Sequence, residues 1–167
     1  IEQTFGGARR GTWGGDIHLQ SSAGSVVVDA GARIDISGAP GADGGSFTVR
    51  VPEGTLTLAE GSLTANAPAD AAGQRGSGAR AVIDAQRLDN FSALNTALNT
   101  AALTGERTLR ARSGDLTVAS ADVVSAHRIA LAADGGSVNL VGSLRATADA
   151  AGNAGSVVVH AGDSLTL

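Results

Sequence analysis

The sequence predicts an all-β protein, a parallel β-helix in which short strands follow one another in stacked coils. An octet at residues 24–31, Gly-Ser-Val-Val-Val-Asp-Ala-Gly, returns at residues 155–162 with one change. A phrase that recurs at a period of tens of residues is typical of a solenoid. Between glycine-rich turns, apolar and polar residues alternate, which indicates strands with one buried face. Aromatic residues make up only 2 % of the chain, and the many Ala, Val and Leu side chains suit a narrow interior.

Charge and composition exclude several classes of protein. The 167 residues carry a net charge of −4, and all 12 basic residues are arginines, so the basic patch of a general nucleic-acid binder is not predicted. No run of 18 apolar residues encodes a membrane span. The absence of cysteine is compatible with export through an oxidising periplasm. The chain shows no signal peptide and closes on a strand-like Leu165-Thr166-Leu167, so we expect a segment of a longer protein.

The first part of the chain predicts two coils. Residues 1–14 are glycine-rich and are expected to form a loop or the end of a preceding coil, with Trp13 either covering an apolar end or else singly buried or half-exposed. Short strands with alternating inward residues then follow as far as the turn at residues 38–45. The second coil has the same order, with a turn predicted at residues 52–54 and a loop of small residues at 67–78.

Helical spacing replaces the strand pattern near residues 89–103. Leu88, Phe91, Leu94 and Leu98 recur every three or four residues, which predicts an amphipathic helix laid over the flank of the coils. Asp89 or Asn90 is the expected N-cap, and Gly105 the expected stop.

The strand pattern resumes after the helical stretch and continues to the end of the chain. The residues expected to face inward in the last coil are Val157, Val159, Ala161, Leu165 and Leu167. Because the pattern is the same before and after the helix, residues 1–167 are predicted to form one β-helix segment with a helical insertion.

Residues 80–167 carry a family resemblance. The helical Phe-Ser-Ala-Leu-Asn at residues 91–95 is followed by Arg-Thr-Leu-Arg-Ala-Arg-Ser-Gly-Asp-Leu-Thr-Val at 107–118 and His-Arg-Ile-Ala-Leu-Ala-Ala-Asp-Gly-Gly-Ser-Val at 127–138. This order resembles the large exoproteins of the filamentous-haemagglutinin type, secreted by the two-partner route in Gram-negative bacteria. Residues 15–79 fit the same family less specifically.

The resemblance implies a right-handed parallel β-helix from the body of such a protein. It also implies a secreted or outer-membrane-associated location at the cell surface, and an outer-membrane transporter as the partner in secretion. The implied role is adhesion, biofilm cohesion or contact-dependent toxin delivery, through a host-cell or biofilm receptor that is a glycan or a protein. The shared motifs are architectural, so they imply no active site.

The densest charge cluster of the sequence is Arg107, Arg110 and Arg112. These side chains are the candidate binding residues, for an anionic surface or a glycan. The alternative is a solvated strand face without a ligand.

Metal and cofactor sites are not predicted. His18, His127 and His160 lie far apart without metal-ligand spacing, although Asp29 and His160 occupy equivalent positions in the two octets and are expected on the same flank. Isolated Asp-Gly-Gly units at residues 43–45 and 134–136 lack the tandem nonapeptide repeat of calcium-binding β-helices, so they favour ordinary turns.

An enzyme is the alternative function, because parallel β-helices also include polysaccharide lyases and hydrolases. Such enzymes need clustered carboxylates beside a cation. The aspartates here are scattered along the chain, as Asp29, Asp35, Asp84, Asp115 and Asp122 show. A lyase or hydrolase of an acidic glycan therefore stands second to an adhesin segment.

Overall fold

The computed structural model describes residues 2–5 and 8–167, and this part of the chain is mostly β-strand with one helix. The elements are β1 (Glu2–Phe5), β2 (Ala8–Gly11), β3 (Asp16–Gln20), β4 (Val26–Val28), β5 (Ile34–Asp35), β6 (Ser46–Leu58), β7 (Leu63–Thr64), β8 (Arg80–Arg87), α1 (Phe91–Thr100), β9 (Glu106–Ala111), β10 (Leu116–Val118), β11 (Val123–Ala126), β12 (Arg128–Ala133), β13 (Val138–Leu140), β14 (Ser143–Ala146), β15 (Ser156–Ala161) and β16 (Leu165–Thr166).

The main sheet contains β3, β6, β8, β9, β12 and β15, in chain order and all parallel. Paired residues are separated by 22 positions (Arg107 to Ile129) to 34 positions (Phe47 to Ala81) along the chain. Parallel pairing at such separations confirms the predicted parallel repeat of strands, because a hairpin would pair neighbours antiparallel.

Smaller parallel sheets flank the main sheet. The strand β4 pairs with the second half of β6, and β10, β13 and β16 pair in that order. The third strands pair as β5 with β7 and β11 with β14. The main-sheet strands β3, β9 and β12 are each followed by two further strands, and β6 by its own second half and β7, whereas β8 is followed by α1. The helix therefore stands where one turn of the chain would supply two strands.

The helix lies within the predicted range, but it ends differently from the prediction. Asn90 is the N-cap residue and makes no side-chain capping bond, and the C-cap is Ala101. Ala102 follows with a φ of +61°, the left-handed conformation that usually favours glycine. Gly105, the predicted end of the helix, lies beyond the C-cap, and glycine is required there for a steric reason. A Cβ there would collide with the carbonyl of Gly78 on the adjacent turn of the chain.

The two near-identical octets occupy different sheets. Residues 24–31 provide β4 in a flanking sheet, whereas residues 155–162 provide β15 in the main sheet. The expectation that Asp29 and His160 share a flank is therefore wrong. His160 instead aligns with Ala132 of β12. The octet marks a strand that follows a glycine turn. Its recurrence therefore indicates that strands repeat along the chain, but it does not indicate the sheet to which each strand belongs.

Two turns or loops expected from the sequence are strands. Residues 52–54 lie inside β6, which continues through a register shift between Val51 and Thr55. Within residues 1–14, expected to be a loop or coil end, β1 and β2 form an antiparallel pair. Trp13 is 78 % exposed, so it does not cover an apolar end.

The core follows the inward positions of the strands and the buried face of α1. Its largest apolar members with full burial include Phe47, Ile83, Leu109 and Leu131. The last coil is only partly covered. Val157 and Leu165 pair with the buried Ile129 and Val138 and so keep the predicted inward parity, but they are exposed because they lie at one end of the described strands, where Leu167 is exposed as well. No helix of the described chain has the length and apolar character needed to cross a bilayer.

Candidate functional site

Arg107, one of the three predicted binding residues, is buried rather than on the surface. Inward and outward residues alternate along β9, and Arg107 has the same parity as Leu109 and Ala111, so its side chain points inward beneath α1. Only 1 % of the residue is exposed. The expectation of a surface-binding role for Arg107 is therefore wrong.

The guanidinium of Arg107 joins the helix to the main sheet. Its Nε donates to the carbonyl of Leu103 at 2.9 Å, and Nη2 donates to that of Leu98 at 3.3 Å. Its Nη1 donates to the Oδ1 atoms of Asn95 and Asn99, at 3.2 and 2.7 Å. Burial lowers the pKa of Arg107 to about 10. The negative end of the helix dipole partly compensates this buried charge, because two of the acceptors lie at or beyond the helix C-terminus.

Arg110 and Arg112 lie together on the outer face, as predicted, but both are ion-paired. Arg112 donates from Nε and Nη2 to the two carboxylate oxygens of Asp84, each at 2.7 Å. Arg110 donates from Nε to Asp134 at 2.8 Å. The bond from Arg112 is the main cause that lowers the pKa of Asp84. These arginines therefore have less charge available for a ligand than the sequence indicates.

An open cleft of about 990 Å³ lies on another side of the strands and was not predicted. Two projecting loops bound it, residues 66–78 before β8 and residues 147–155 before β15. The equivalent connection on the turn of the chain before the second loop is short, since only His127 separates β11 from β12. The strands β8, β9, β12 and β15 are consecutive in the main sheet, so the loops stand three strand spacings apart, or about 14 Å.

The two loops share a hexapeptide with one change, and its aspartate accepts the same backbone hydrogen bonds in both. Ala-Asp-Ala-Ala-Gly-Gln occupies residues 69–74, and Ala-Asp-Ala-Ala-Gly-Asn occupies residues 148–153. In the first, Oδ1 of Asp70 accepts from the backbone N–H groups of Ala72 and Gln74. In the second, Asp149 accepts from the equivalent pair. Hydrogen bonding to Asn153 is the main cause that lowers the pKa of Asp149. Both loops are thus held by their own aspartates.

The floor of the cleft carries a charge ladder, Arg80, Glu106 and Arg128. These residues pair directly across β8, β9 and β12. Arg80 and Arg128 are exposed, and Glu106 is half-buried. Among the carboxylates of residues 12–167, none lies within salt-bridge distance of either guanidinium.

The carboxylates at the cleft already have partners. Asp35 accepts from the backbone N–H of Ser37 at 2.9 Å, and hydrogen bonding to Ser37 lowers the pKa of Asp35. Glu106 accepts from the hydroxyl of Thr108 at 3.1 Å. His127 lies against the second loop, with Nδ1 2.9 Å from the carbonyl oxygen of Thr147. The groups left for a ligand are therefore chiefly guanidinium groups, including Arg75 on the first loop.

One feature of the sequence, the repeated hexapeptide, could have indicated the two loops that bound this cleft. The repeated hexapeptide of the two loops is as close a match as the octets, and its second copy lies where the loop must project again. The pairing of Arg80, Glu106 and Arg128 depends on the strand register, which the sequence alone does not give. Across the residues whose side chains are described, no group of three or more His, Asp or Glu is placed to hold a metal ion.

Comparison with known proteins identifies no relative. No protein-family description, no curated protein and no solved structure matches the chain.

Proposed function

We propose that the chain is a structural and binding segment of a secreted or cell-surface adhesin of the filamentous-haemagglutinin type, built as a right-handed parallel β-helix. The observation that carries the proposal is the continuous parallel pairing of the main sheet, in which six strands pair in chain order. Crossovers between parallel strands are right-handed in nearly all proteins, which supports the handedness.

The binding role is assigned to the cleft rather than to the predicted arginine cluster. Arg107 is buried, and Arg110 and Arg112 are paired with carboxylates. The cleft instead offers exposed guanidinium groups between two rigid loops. Because Asp35 and Asp149 are hydrogen-bonded within their own turns, the cleft favours binding a receptor over cleaving a glycan.

A cell-binding assay tests the adhesive role. Fluorescently labelled chain should bind bacterial biofilm or host cells saturably, and excess unlabelled chain should displace it. The same chain denatured by heat is the control for non-specific adsorption. Non-saturable binding to every surface would contradict the proposal. So would release of oligosaccharides from an acidic polysaccharide, which would favour the lyase or hydrolase.

A genomic test is independent of the assay. The reading frame that encodes the chain should contain further coils of the Gly-Ser-Val type, and a gene for an outer-membrane transporter should lie nearby. A short reading frame without such coils or such a neighbour would refute the two-partner assignment.

A further inference from the structure

We infer that the cleft binds a polysaccharide in which an acidic sugar alternates with a neutral one. The inference rests on the proposed function, since it names the class of receptor that an adhesive cleft would take. It is carried by the order of charges on the floor, Arg80, Glu106 and Arg128, and by the spacing that the sheet imposes on them.

The spacing is set by the backbone. Adjacent parallel strands lie about 4.8 Å apart, so the strand positions of Arg80 and Arg128, two strands apart, are separated by about 9.6 Å. Glu106 lies midway between them. A ligand that follows the floor across the strands therefore meets a cation, an anion and a cation at regular intervals.

The chemistry of the three groups differs by position. A guanidinium binds a carboxylate or sulfate through two parallel hydrogen bonds, so Arg80 and Arg128 select acidic groups. A glutamate carboxylate is acceptor-only when ionised, so Glu106 accepts from sugar hydroxyls and repels a carboxylate placed opposite it. A chain with an acid on every sugar would place one against Glu106, whereas an alternating chain would place a neutral sugar there.

An acidic peptide fits the ladder less well. Side chains on one face of an extended peptide repeat at about 6.6 Å, so two successive acids would not reach the two arginine positions together. Stacking on aromatic rings is also unavailable, because no Phe or Trp lines the cleft. Recognition of a glycan here must depend on charge and hydrogen bonds, which makes the pattern of charges decisive.

Binding of three polysaccharides to the intact chain tests the inference. Hyaluronate, with acidic and neutral sugars in alternation, should bind at least about tenfold more tightly than polygalacturonate, which is acidic at every sugar. Uncharged dextran should not bind. Raising the salt concentration should weaken hyaluronate binding, because exposed charges are screened.

Four variants distinguish the ladder from general electrostatics. Arg80→Gln and Arg128→Gln should each weaken hyaluronate binding about tenfold. Arg50→Gln, which removes the same charge from an exposed main-sheet position outside the cleft, should leave it unchanged. Glu106→Gln should raise polygalacturonate affinity and thereby abolish the discrimination. Circular dichroism of each variant should confirm that the fold is retained.

Several outcomes would overturn the inference. Equal affinity for hyaluronate and polygalacturonate in the unsubstituted chain would do so, as would a loss in Arg50→Gln equal to that in Arg80→Gln. Saturable binding to cells without binding to any of these polysaccharides would refute the inference while leaving the adhesive role intact. Hyaluronate binding without cell binding would support the cleft assignment and refute the adhesive role.

Discussion

At the residue scale, Arg107 shows how one inward position determines the role of a side chain. The guanidinium donates to four acceptors from α1 and the residues just beyond it. Its position could have been predicted from strand parity, because Arg107 alternates in step with the apolar residues Leu109 and Ala111 of the same strand. The prediction that Arg107 lies on the surface was based on its charge alone. Strand parity is the stronger indicator of whether a side chain is buried.

Replacing Arg107 with methionine should destabilise the fold by about 2–3 kcal/mol, because the carbonyl of Leu103 and the amide oxygen of Asn95, both on buried residues, lose this donor. Urea unfolding of both proteins measures the difference. Arg110→Met is the matched control, and should cost less than about 1 kcal/mol because its ion pair is exposed. Equal losses in the two variants would contradict the account. A triple alanine variant at 107, 110 and 112 would therefore confuse folding with binding.

At the element scale, α1 replaces two strands and so must satisfy the strand edges that face it. Its polar residues do this. Asn95 and Asn99 both donate to the carbonyl of Val123, at 3.2 and 3.0 Å, and Ser92 donates to Asp122. Asn and Ser are modest helix formers, and their presence here is explained by these bonds rather than by helix propensity.

Leu98→Ala should destabilise α1 and the strands that pack on it more than the main sheet. Leu98 is fully buried on the helix, so the substitution should cost about 2–5 kcal/mol. Hydrogen exchange should show lost protection first in α1 and in β7, β10 and β11, the flanking strands that the helix contacts. Leu131→Ala, an equal deletion within the main sheet, should instead lower protection throughout. Simultaneous loss in α1 and β9 for Leu98→Ala would contradict this separation.

The elements themselves were largely predictable, whereas their partners were not. Period-2 alternation placed most strands, and three-to-four spacing placed α1, because both patterns report directly which side chains are buried. The assignment of each strand to a sheet depends on how many strands precede it in its turn of the chain. That count changes where the helix replaces two strands. The two octets fall in different sheets because β4 is the second strand of its turn of the chain, whereas β15 is the first strand of its own. The cleft floor depends on the same count, so its charge ladder emerged only with the register.

At the scale of the whole molecule, several aspartates are ion-paired or hydrogen-bonded, and protonating them in acid should destabilise the fold. Hydrogen bonding from Arg112 lowers the pKa of Asp84, and bonds from Ser37 and Asn153 lower those of Asp35 and Asp149. A carboxylate with a lowered native pKa contributes stability that is complete above its unfolded value and is lost as the pH falls through its native value. With 12 arginines and 3 histidines, the acid-titrated chain is also strongly cationic.

The free energy of unfolding should therefore fall steeply below about pH 4, near the ordinary pKa of aspartate. Chemical denaturation at a series of pH values measures the slope. Asp84→Asn should lower stability at neutral pH and flatten the slope below pH 4, because one linked proton is removed. Asp29→Asn, at an exposed side chain, serves as the control. An unchanged slope in Asp84→Asn would show that its pairing with Arg112 does not stabilise the native state.

The interruption of the flanking sheets at α1 has a mechanical consequence. The main sheet runs without a break past the helix, whereas the flanking sheets stop on one side of it and start again on the other. Hydrogen bonds that continue across a boundary resist shear, and side-chain packing alone resists it less. We expect the molecule to bend most easily at α1, because there only the main sheet continues without interruption. Because Ala102, just after the helix, lines the cleft, we expect bending at α1 to move that part of the cleft wall and so to change the affinity for a bound ligand.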